Sequence, residues 1–300
     1  DLKTIRSPWI FSERMFGIGG TFSYSECSDC RSIQQDAVPE NLGEYYSQTE
    51  YYSFLPLVQS GLARRLFKRV RMKLLLSTKS AAFEPEEYGY WLKKLAPKFH
   101  SKIADVGCGN GQLLYELYAS GYTDLHGFDP FMEKSSTINP SLHLWKKEIE
   151  ESDNSFDLIM LHHAFEHMEN PMELLQACFD KLNPGGKLLI RTPVTDGAIW
   201  KEKREFWVQL DAPRHLIIPS ISGFEVVTKA IGFNLDEVLF DSTAFQFWGT
   251  ELYERGFSLH KKSALDIFSK DEMAALHKNA LRYNQEGKGD QVCFFLSKPL

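Results

Sequence analysis

The chain has 300 residues, of which 43% are hydrophobic and 25% charged, and its formal net charge is -6. This composition is typical of an ordinary globular protein with room for one large α/β domain plus additions, or for two small domains. The net negative charge argues against a general nucleic-acid role, so we expect no nucleic acid partner. No apolar run approaches the ~18 residues that span a membrane, and no secretory signal peptide is visible.

The five cysteines are few, odd in number and without framework spacing, which argues against a disulfide scaffold. We therefore expect a reducing, cytoplasmic compartment. Residues 1–55 lack clear periodicity and are predicted to be a loop-rich extension. They contain Cys27 and Cys30 at the spacing of half a zinc knuckle, but structural zinc takes four ligands and this segment offers two cysteines. Zinc is therefore not the favoured interpretation.

Residues 56–98 are predicted to be a helical lead-in. Between residues 57 and 79 there are seven cations and no acid, and apolar residues recur at helical spacing. One interpretation is a helix that packs on the main domain with a solvated basic face. The other is contact with an anionic membrane surface or a phosphate-bearing substrate. The apolar residues of this helix are Leu62, Leu66, Phe67, Val70 and Leu74.

A glycine-rich turn opens the third region, residues 99–300. A short apolar strand leads into Asp105, and glycines follow at alternate positions, Gly107, Gly109 and Gly111. Glycine allows a positive φ and lets a ligand approach the backbone. The dinucleotide pattern G-x-G-x-x-G would need a glycine at position 112, which is Gln112. The turn therefore predicts a nucleoside cofactor other than a dinucleotide.

The next predicted strand ends at an acidic residue, Asp129, which is followed by Pro130. In nucleotide-binding α/β folds an acid at this position accepts hydrogen bonds from the ribose hydroxyls. Glu148 and Ile149, after the third strand, are weaker candidates for the adenine. The strand and helix patterns alternate from residue 103 onwards, which predicts a parallel sheet with right-handed crossovers. The predicted strands are 103–107, 124–129, 141–146, 156–162, 187–192, 233–241 and 290–297.

The motif Asp-x-Gly-x-Gly-x-Gly with the later acid resembles class I S-adenosylmethionine (SAM)-dependent methyltransferases. The block from Phe156 through Gly186 to Ile190 resembles the fourth and fifth strands of the same family. The resemblance implies a Rossmann-like fold with a seven-stranded, mostly parallel sheet whose last strand is antiparallel, plus an N-terminal extension. It also implies that SAM is the cofactor. The residues expected to line the cofactor are Asp105, Gly107, Cys108, Gly109, Gly111, Asp129, Pro130, Glu148, Ile149, His162 and His163.

The segment His163 to His167 matches H-x-x-E-H, the inverted zinc-protease motif. That motif requires a helix that carries both histidines, whereas here the segment follows the fourth predicted strand. The resemblance instead implies a position beside the cofactor and acceptor, with Glu166 and His167 lining the site. A cluster at a helix start is the other interpretation, and no metal is demanded.

A long insertion, residues 193–219, follows the fifth strand and is predicted to be a lid. It contains Trp207 and the run Asp211-Ala-Pro-Arg214-His215. A subgroup of the family, often found in sugar and polysaccharide pathways, has a similar segment, and it begins with two Cys-x-x-Cys pairs, of which one is present here. His215 is the first candidate for a general base and His167 the second, because an imidazole with a pKa near ~6.5 suits proton removal. Arg214 and Trp207 are candidate acceptor contacts, although these residues could equally hold the lid in place.

The function predicted is SAM-dependent methyl transfer to a small-molecule acceptor, such as a sugar, glycan or lipid-linked intermediate. The alternatives are an NAD(P)-dependent oxidoreductase and a non-catalytic cofactor-binding protein. Fold alone does not identify the acceptor or its reacting atom. The sequence also leaves the oligomeric state open.

Overall fold

The computed structural model describes residues 8–46, 56–86 and 88–300. The strands seen there are β1 (Trp9–Ser12), β2 (Thr21–Glu26), β3 (Ile33–Gln35), β4 (Lys102–Val106), β5 (Asp124–Phe128), β6 (Ser136–Asn139), β7 (Leu142–Trp145), β8 (Phe156–His162), β9 (Leu182–Pro193), β10 (Ile217–Ile218), β11 (Asn234–Phe240) and β12 (Gln291–Ser297). The α-helices are α1 (Leu62–Thr78), α2 (Gly89–Leu95), α3 (Gln112–Ala119), α4 (Pro171–Lys181), α5 (Ala198–Lys203), α6 (Ile221–Ile231), α7 (Phe245–Glu254) and α8 (Lys270–Gln285).

The larger sheet has the strand order β11-β12-β9-β8-β4-β5-β7-β6. Strands β9, β8, β4, β5 and β7 pair in parallel, while β12 runs antiparallel between β9 and β11. This confirms the Rossmann-like fold with an antiparallel last strand. The sheet has eight strands rather than the predicted seven, because β6 adds an antiparallel edge to β7. That strand is short and half-buried, so its sequence lacks the apolar alternation that predicts a strand.

The two faces of the larger sheet are covered by separate apolar clusters. In β8, Ile159 and Leu161 belong to one cluster, and Leu158 and Met160 belong to the other. Side chains alternate across a strand, so a strand that is buried on both faces must be apolar throughout. The continuous apolar run in β8 is the sequence signature of this central position.

The N-terminal segment contains a second sheet, of order β1-β2-β3-β10, in which all pairs are antiparallel. Its described part, residues 8–46, therefore departs from the expected loop-rich segment. The strands are too short for a periodic signal, and β3 is completed only by β10 from the insertion, with Ile33 opposite Ile218. A third apolar cluster joins these parts through Tyr24, Trp200 and Trp207. Residues 47–55 of the predicted extension lie outside the described chain.

Helix α1 packs on the main domain with an unexpected face. Its buried residues are Lys68, Met72 and Leu75, and the ammonium of Lys68 bonds Ser60 Oγ at 3.0 Å and the carboxylate of Glu116. The apolar stripe identified in the sequence points outward instead. Leu62 is 81% exposed, Leu66 65% and Phe67 62%, and Val70 and Leu74 are also exposed. The helix thus packs on the main domain and keeps solvated cations at Arg64, Arg69 and Lys73, as one interpretation expects, but the apolar stripe is not the face that packs.

In the part of the chain that the structure describes, we find no helix with the length and apolar content needed to cross a membrane.

Candidate functional site

The glycine turn joins β4 to α3, and its three glycines all have positive φ: 72° at Gly107, 52° at Gly109 and 77° at Gly111. A Cβ on Gly107 would lie 2.5 Å from the Cβ of Ala164, and one on Gly111 would lie 2.7 Å from Leu144 Cδ2. Side chains are therefore excluded by conformation and by space. The contact with Ala164 brings the turn against the segment that follows β8.

Asp129 follows β5 and holds the turn in place. Its Oδ2 accepts the backbone N–H of Gly109 at 2.9 Å, and its Oδ1 accepts that of Phe131 at 2.9 Å. A carboxylate has about four lone-pair sites, so the two oxygens can still accept other donors. Because Asp129 and the neighbouring Pro130 are only half-buried, the carboxylate can serve a ribose.

Asp105 is buried in β4, and Cys108, in the turn itself, is half-buried. Burial, followed by the charge of Asp129, raises the pKa of Asp105 to about 8. Burial also raises the pKa of Cys108 well above its usual value, and a Cβ on Gly127 would lie 2.6 Å from its sulfur. Burial therefore favours the protonated form of both side chains.

The candidates after β7 and at the end of β8 have different surroundings. Ile149 is fully buried in the apolar cluster that contains Phe128, while the N–H of Glu148 bonds Glu151 Oε1 at 2.9 Å. Burial and the nearby acids raise the pKa of Glu148. His162 packs on Trp91 with ring centroids 5.0 Å apart, and burial lowers its pKa to about 3. Neutral His162 thus packs against α2, whereas His163 faces a cavity on the other side.

The two candidate bases lie together, with ring centroids 4.7 Å apart. His215 Nδ1 is 2.7 Å from the carbonyl oxygen of Gln209, and His167 Nδ1 is 2.8 Å from that of Arg214. Since a carbonyl only accepts, both Nδ1 atoms carry hydrogen, and the lone pairs are on Nε2. Burial, followed by repulsion from His215, lowers the pKa of His167 to about 4, so this ring is neutral near pH 7.

Glu166 is fully buried between these rings. Its Oε2 accepts from Thr192 Oγ1 at 2.9 Å, and His163 Nδ1 lies 3.2 Å from its Oε1. Burial alone would raise the pKa of Glu166, but the hydrogen bond from His163 and the adjacent histidines outweigh burial and hold it at about 2. His163 has φ 52°, a conformation that is uncommon for residues other than glycine, and it turns the chain into this cluster.

The cluster opens into a cavity of about 420 Å³. This volume lies in the range of small-molecule sites. Polar and apolar side chains both contribute to the wall. The lining residues are Met15, His163, His167, Arg191, Val208, Gln209, Asp211, His215, Thr243, Phe245, Leu259 and Gln291.

Two predicted acceptor contacts are wrong. Arg214 is fully buried and makes a two-point ion pair with Asp211, donates to the carbonyl oxygen of Tyr45 at 3.1 Å and lies 3.5 Å from Glu13. Its guanidinium is therefore already occupied by protein groups. Trp207 is also fully buried, and its Nε1 donates to Asp290 Oδ2 at 2.8 Å. Both residues bind protein groups outside the insertion 193–219 and hold that segment in place.

Sequence reasoning missed the opposite wall of the cavity. Arg191, near the end of β9, pairs with Asp241, which also accepts from Tyr90 and from Gln291 Nε2 at 2.9 Å. The available signal was a cation at the carboxyl end of an otherwise apolar strand. Arg191 and Gln291 bring this ionic network into the cavity wall.

In the described residues, Cys27 and Cys30 are not part of a group of metal ligands. Cys27 and Cys30 are free thiols, and Cys30 Sγ lies 3.1 Å from Ser32 Oγ. Over residues 8–46, 56–86 and 88–300, no third His, Cys, Asp or Glu joins the two sulfurs in a metal-sized group. In the described chain such a group is found elsewhere, at Glu166, His167 and His215.

The fold and the site define a Rossmann-like α/β protein with a glycine turn near a cavity of mixed polar and apolar lining. A family model described as "Methyltransferase domain" matches residues 77–238. The chain belongs to this methyltransferase-domain family. Membership confirms the enzyme class predicted from the sequence, a SAM-dependent methyltransferase, and goes against the NAD(P)-dependent oxidoreductase.

Curated relatives are similar over about half of the chain. A tRNA U34 carboxymethyltransferase of Helicobacter pylori (strain Shi470) is 27% identical over 161 residues, which are 49% of this chain and 62% of the relative. The protein of the same name from Helicobacter acinonychis (strain Sheeba) is 30% identical over 165 residues, again 49% and 62%. The chain thus spans about three-fifths of the length of these relatives.

A solved structure of the cyclopropane synthase MmaA2 from Mycobacterium tuberculosis is 20% identical. It covers 79% of this chain and 96% of its own, with a TM-score of 0.45. At this TM-score the likeness carries no argument about ligand or substrate.

Proposed function

We propose that the protein transfers a methyl group from SAM to a small-molecule acceptor held in the 420 Å³ cavity. One observation carries the proposal. The glycine turn and the cavity meet at one place, because Gly107 lies against Ala164, and the cavity-lining His163 directly precedes Ala164. A cofactor on the turn and an acceptor in the cavity would therefore be neighbours.

The residues around the junction suit in-line transfer. SAM supplies an activated methyl group when bound, so the protein has to align the acceptor, exclude water and, for a hydroxyl or amine, remove a proton. His215 offers a lone pair on Nε2, because its Nδ1 donates to Gln209. His167 has the same arrangement through Arg214 and is the alternative base. Asp129 would accept hydrogen bonds from the ribose of the cofactor.

The cavity wall favours a polar acceptor with an apolar side. Arg191, Asp211 and Gln291 offer charges and hydrogen bonds, and Phe245 and Leu259 offer apolar surface. A sugar, or the sugar of a glycan or lipid-linked intermediate, presents both kinds of surface. The names of the curated relatives make tRNA a second candidate acceptor, and carboxymethyl a second candidate group. The net charge of -6 weighs against tRNA.

The test has two stages. First, calorimetry should show binding of S-adenosylhomocysteine and none of NAD. Second, methyl transfer from labelled SAM is measured with nucleotide sugars, glycans, lipid-linked sugars and unmodified tRNA. His215→Gln should keep cofactor affinity and lose about 10²–10⁴-fold in turnover, as expected for a general base. Binding of NAD alone would contradict the proposal, and transfer to tRNA alone would replace the small-molecule acceptor.

We also propose that α1 attaches the protein peripherally to an anionic membrane surface. Leu62, Leu66, Val70 and Leu74 are spaced by four residues and form one exposed row. Val70 comes two residues after the buried Lys68, which is about 200° around a helix, so the row is opposite the packed face. Exposed Arg69 and Lys73 border the row. Apolar residues flanked by cations are the pattern of helices that lie in a lipid interface.

Vesicle sedimentation tests the attachment. The protein should bind vesicles with phosphatidylserine and not neutral vesicles, and salt should weaken binding because it screens the attraction. Leu66→Ser/Val70→Ser should reduce binding at least about tenfold, following lost apolar burial. Leu281→Ser on α8, at a site 64% exposed, is the matched control and should bind as wild type. Absence of vesicle binding would contradict the attachment, and salt-sensitive retention of tRNA instead would assign α1 to nucleic acid.

A further inference from the structure

Three potential metal ligands meet at the inner end of the cavity. One carboxylate oxygen of Glu166 and one ring nitrogen from each of His167 and His215 lie within 4.8 Å of one another. His215 Nε2 is 4.0 Å from Glu166 Oε1 and 3.9 Å from Asp211 Oδ2. Ligands around one first-row ion, with bonds of ~2.0–2.2 Å, stand ~3–4 Å apart. A small inward movement of the side chains would therefore close a metal site.

The hydrogen bonds orient these groups as ligands. Each histidine donates from Nδ1 to a backbone carbonyl, at Gln209 or at Arg214, and this leaves Nε2 with its lone pair. Tyr46 also contacts His167 Nδ1 at 3.0 Å and donates to the same Arg214 carbonyl. A ligating histidine typically has its second nitrogen held in this way, which fixes the ring and its tautomer.

The carboxylate is oriented too. Thr192 donates to Glu166 Oε2, and Oε1 lies 3.2 Å from His163 Nδ1 and 4.0 Å from His215 Nε2. A ring nitrogen of His167 belongs to the same group of atoms, which all lie within 4.8 Å of one another. Convergent lone pairs inside a protein require a cation or a proton between them. The observed geometry is spread over three residues, which suits one shared ion better than one shared proton.

We infer that Glu166, His167 and His215 bind one divalent transition-metal ion. Two imidazoles and a carboxylate suit Zn²⁺, Co²⁺ or Fe²⁺ better than Mg²⁺ or Ca²⁺, which prefer oxygen ligands throughout. With three protein ligands, the ion keeps open positions, and both histidines line the cavity. The inference rests on the proposed function for its consequence only: with the ion bound, Nε2 of each histidine is a ligand and no longer a free base, so the ion would take over that role by lowering the pKa of an acceptor hydroxyl coordinated to it.

The experiment measures the metal without cofactor or acceptor. The full chain is treated with a chelator and titrated with Zn²⁺ by calorimetry, and with Co²⁺ by visible absorption. A Cys27→Ser/Cys30→Ser background removes the two thiols as competing ligands. We expect one equivalent to bind, and we expect His215→Gln and Glu166→Gln each to weaken binding at least about 100-fold, since each removes one of three ligands. His277→Gln, an exposed histidine on α8, is the control and should bind as wild type.

Each result decides the inference. Binding of less than one equivalent, or equal affinity in His215→Gln, Glu166→Gln and His277→Gln, would overturn it. Should Glu166→Gln not fold, as judged by lost S-adenosylhomocysteine binding, His215→Gln and His167→Gln decide instead. If the protein binds the metal but transfers no methyl group, the proposed function alone is refuted. If it binds no metal in the titration but transfers a methyl group, the metal site alone is refuted.

Discussion

Asp129 combines two tasks at the end of β5: it holds the glycine turn and it is the proposed acceptor for the ribose hydroxyls. Asp129→Ala should weaken S-adenosylhomocysteine binding by about 10–100-fold, because a charge-assisted hydrogen bond contributes ~1.5–3 kcal/mol. Calorimetry gives the affinity, and thermal unfolding shows how much of the loss comes from the turn, since Gly109 and Phe131 also lose their acceptor. Unchanged affinity would remove Asp129 from the cofactor site.

Asp105 should make stability fall as the pH rises. Its pKa is about 8 in the folded protein, against 3.8 ordinarily, so the folded state holds this proton more tightly than the unfolded chain. The resulting stabilisation is complete below about pH 4 and is lost towards pH 8, with a slope of up to ~1.4 kcal/mol per pH unit.

Asp105→Asn, which cannot ionise, should remove that slope and should be more stable than wild type at pH 8. Urea unfolding at pH 5, 6.5 and 8 measures the difference between the two proteins. Asp153→Asn, at an exposed position, is the matched control and should keep the wild-type slope. Parallel pH profiles for wild type and Asp105→Asn would show that Asp105 ionises alike in both states.

At the residue scale, the sequence predicted the side chains whose role follows from a local motif or from a position at the end of a strand. The turn glycines and Asp129 were predicted together and are joined by a hydrogen bond. His167 and His215 were predicted from their positions after parallel strands, and they do lie side by side. Arg214 was misjudged because its partners are not visible from its neighbourhood: Glu13 and Tyr45 come from the N-terminal segment.

Among the elements, the strands of the larger sheet other than β6 were predicted within a residue or two, apart from the early start of β9. Strands β1–β3, β6 and β10 were not, because they are short and their sequences lack the apolar pattern that predicts a strand. Helix α1 shows a different limit. Its amphipathic pattern was visible, but an apolar stripe does not say what covers it, and tertiary contacts at Lys68 and Met72 decided which face packs.

The packing of α1 on the main domain depends on the ion pair between Lys68 and Glu116. Glu116→Leu would leave the buried ammonium without its carboxylate and should lower the free energy of unfolding by about 3–5 kcal/mol. The double variant Lys68→Met/Glu116→Leu should recover most of that loss, because no unpaired charge is left. Denaturant unfolding of the three proteins checks this, and equal losses in the single and double variants would contradict it.

At the scale of the whole molecule, the N-terminal sheet, the insertion and the cavity form one unit. Tyr24 on β2 donates to the carbonyl oxygen of His215 at 2.9 Å, and β3 pairs with β10. Arg214 ties Asp211 in the insertion to Tyr45 and Glu13 in the N-terminal segment. Sequence predicted the two segments separately, since nothing local indicates that residues so far apart will meet.

Arg214→Gln tests this joint. It leaves Asp211 without its two-point partner, so the free energy of unfolding should fall by about 3–5 kcal/mol. S-adenosylhomocysteine affinity should stay at the wild-type level, because the partners of the guanidinium, Asp211, Tyr45 and Glu13, lie outside the glycine turn. Urea unfolding and calorimetry measure the two quantities. A normal stability with a raised KM for the acceptor would instead restore the discarded role of Arg214 as an acceptor contact.

The pairing of β3 with β10 also determines when the N-terminal sheet can be completed during synthesis. Gln34 pairs with Ile217, so one edge of β3 stays unpaired until the ribosome has synthesised the parallel strands of the larger sheet. At ~5–20 residues per second, that interval is on the order of 10–40 s. An unpaired strand edge is a template for wrong partners. We therefore expect slow translation, or a shortage of chaperones that shield nascent chains, to promote wrong pairing of the N-terminal strands before the cavity has formed.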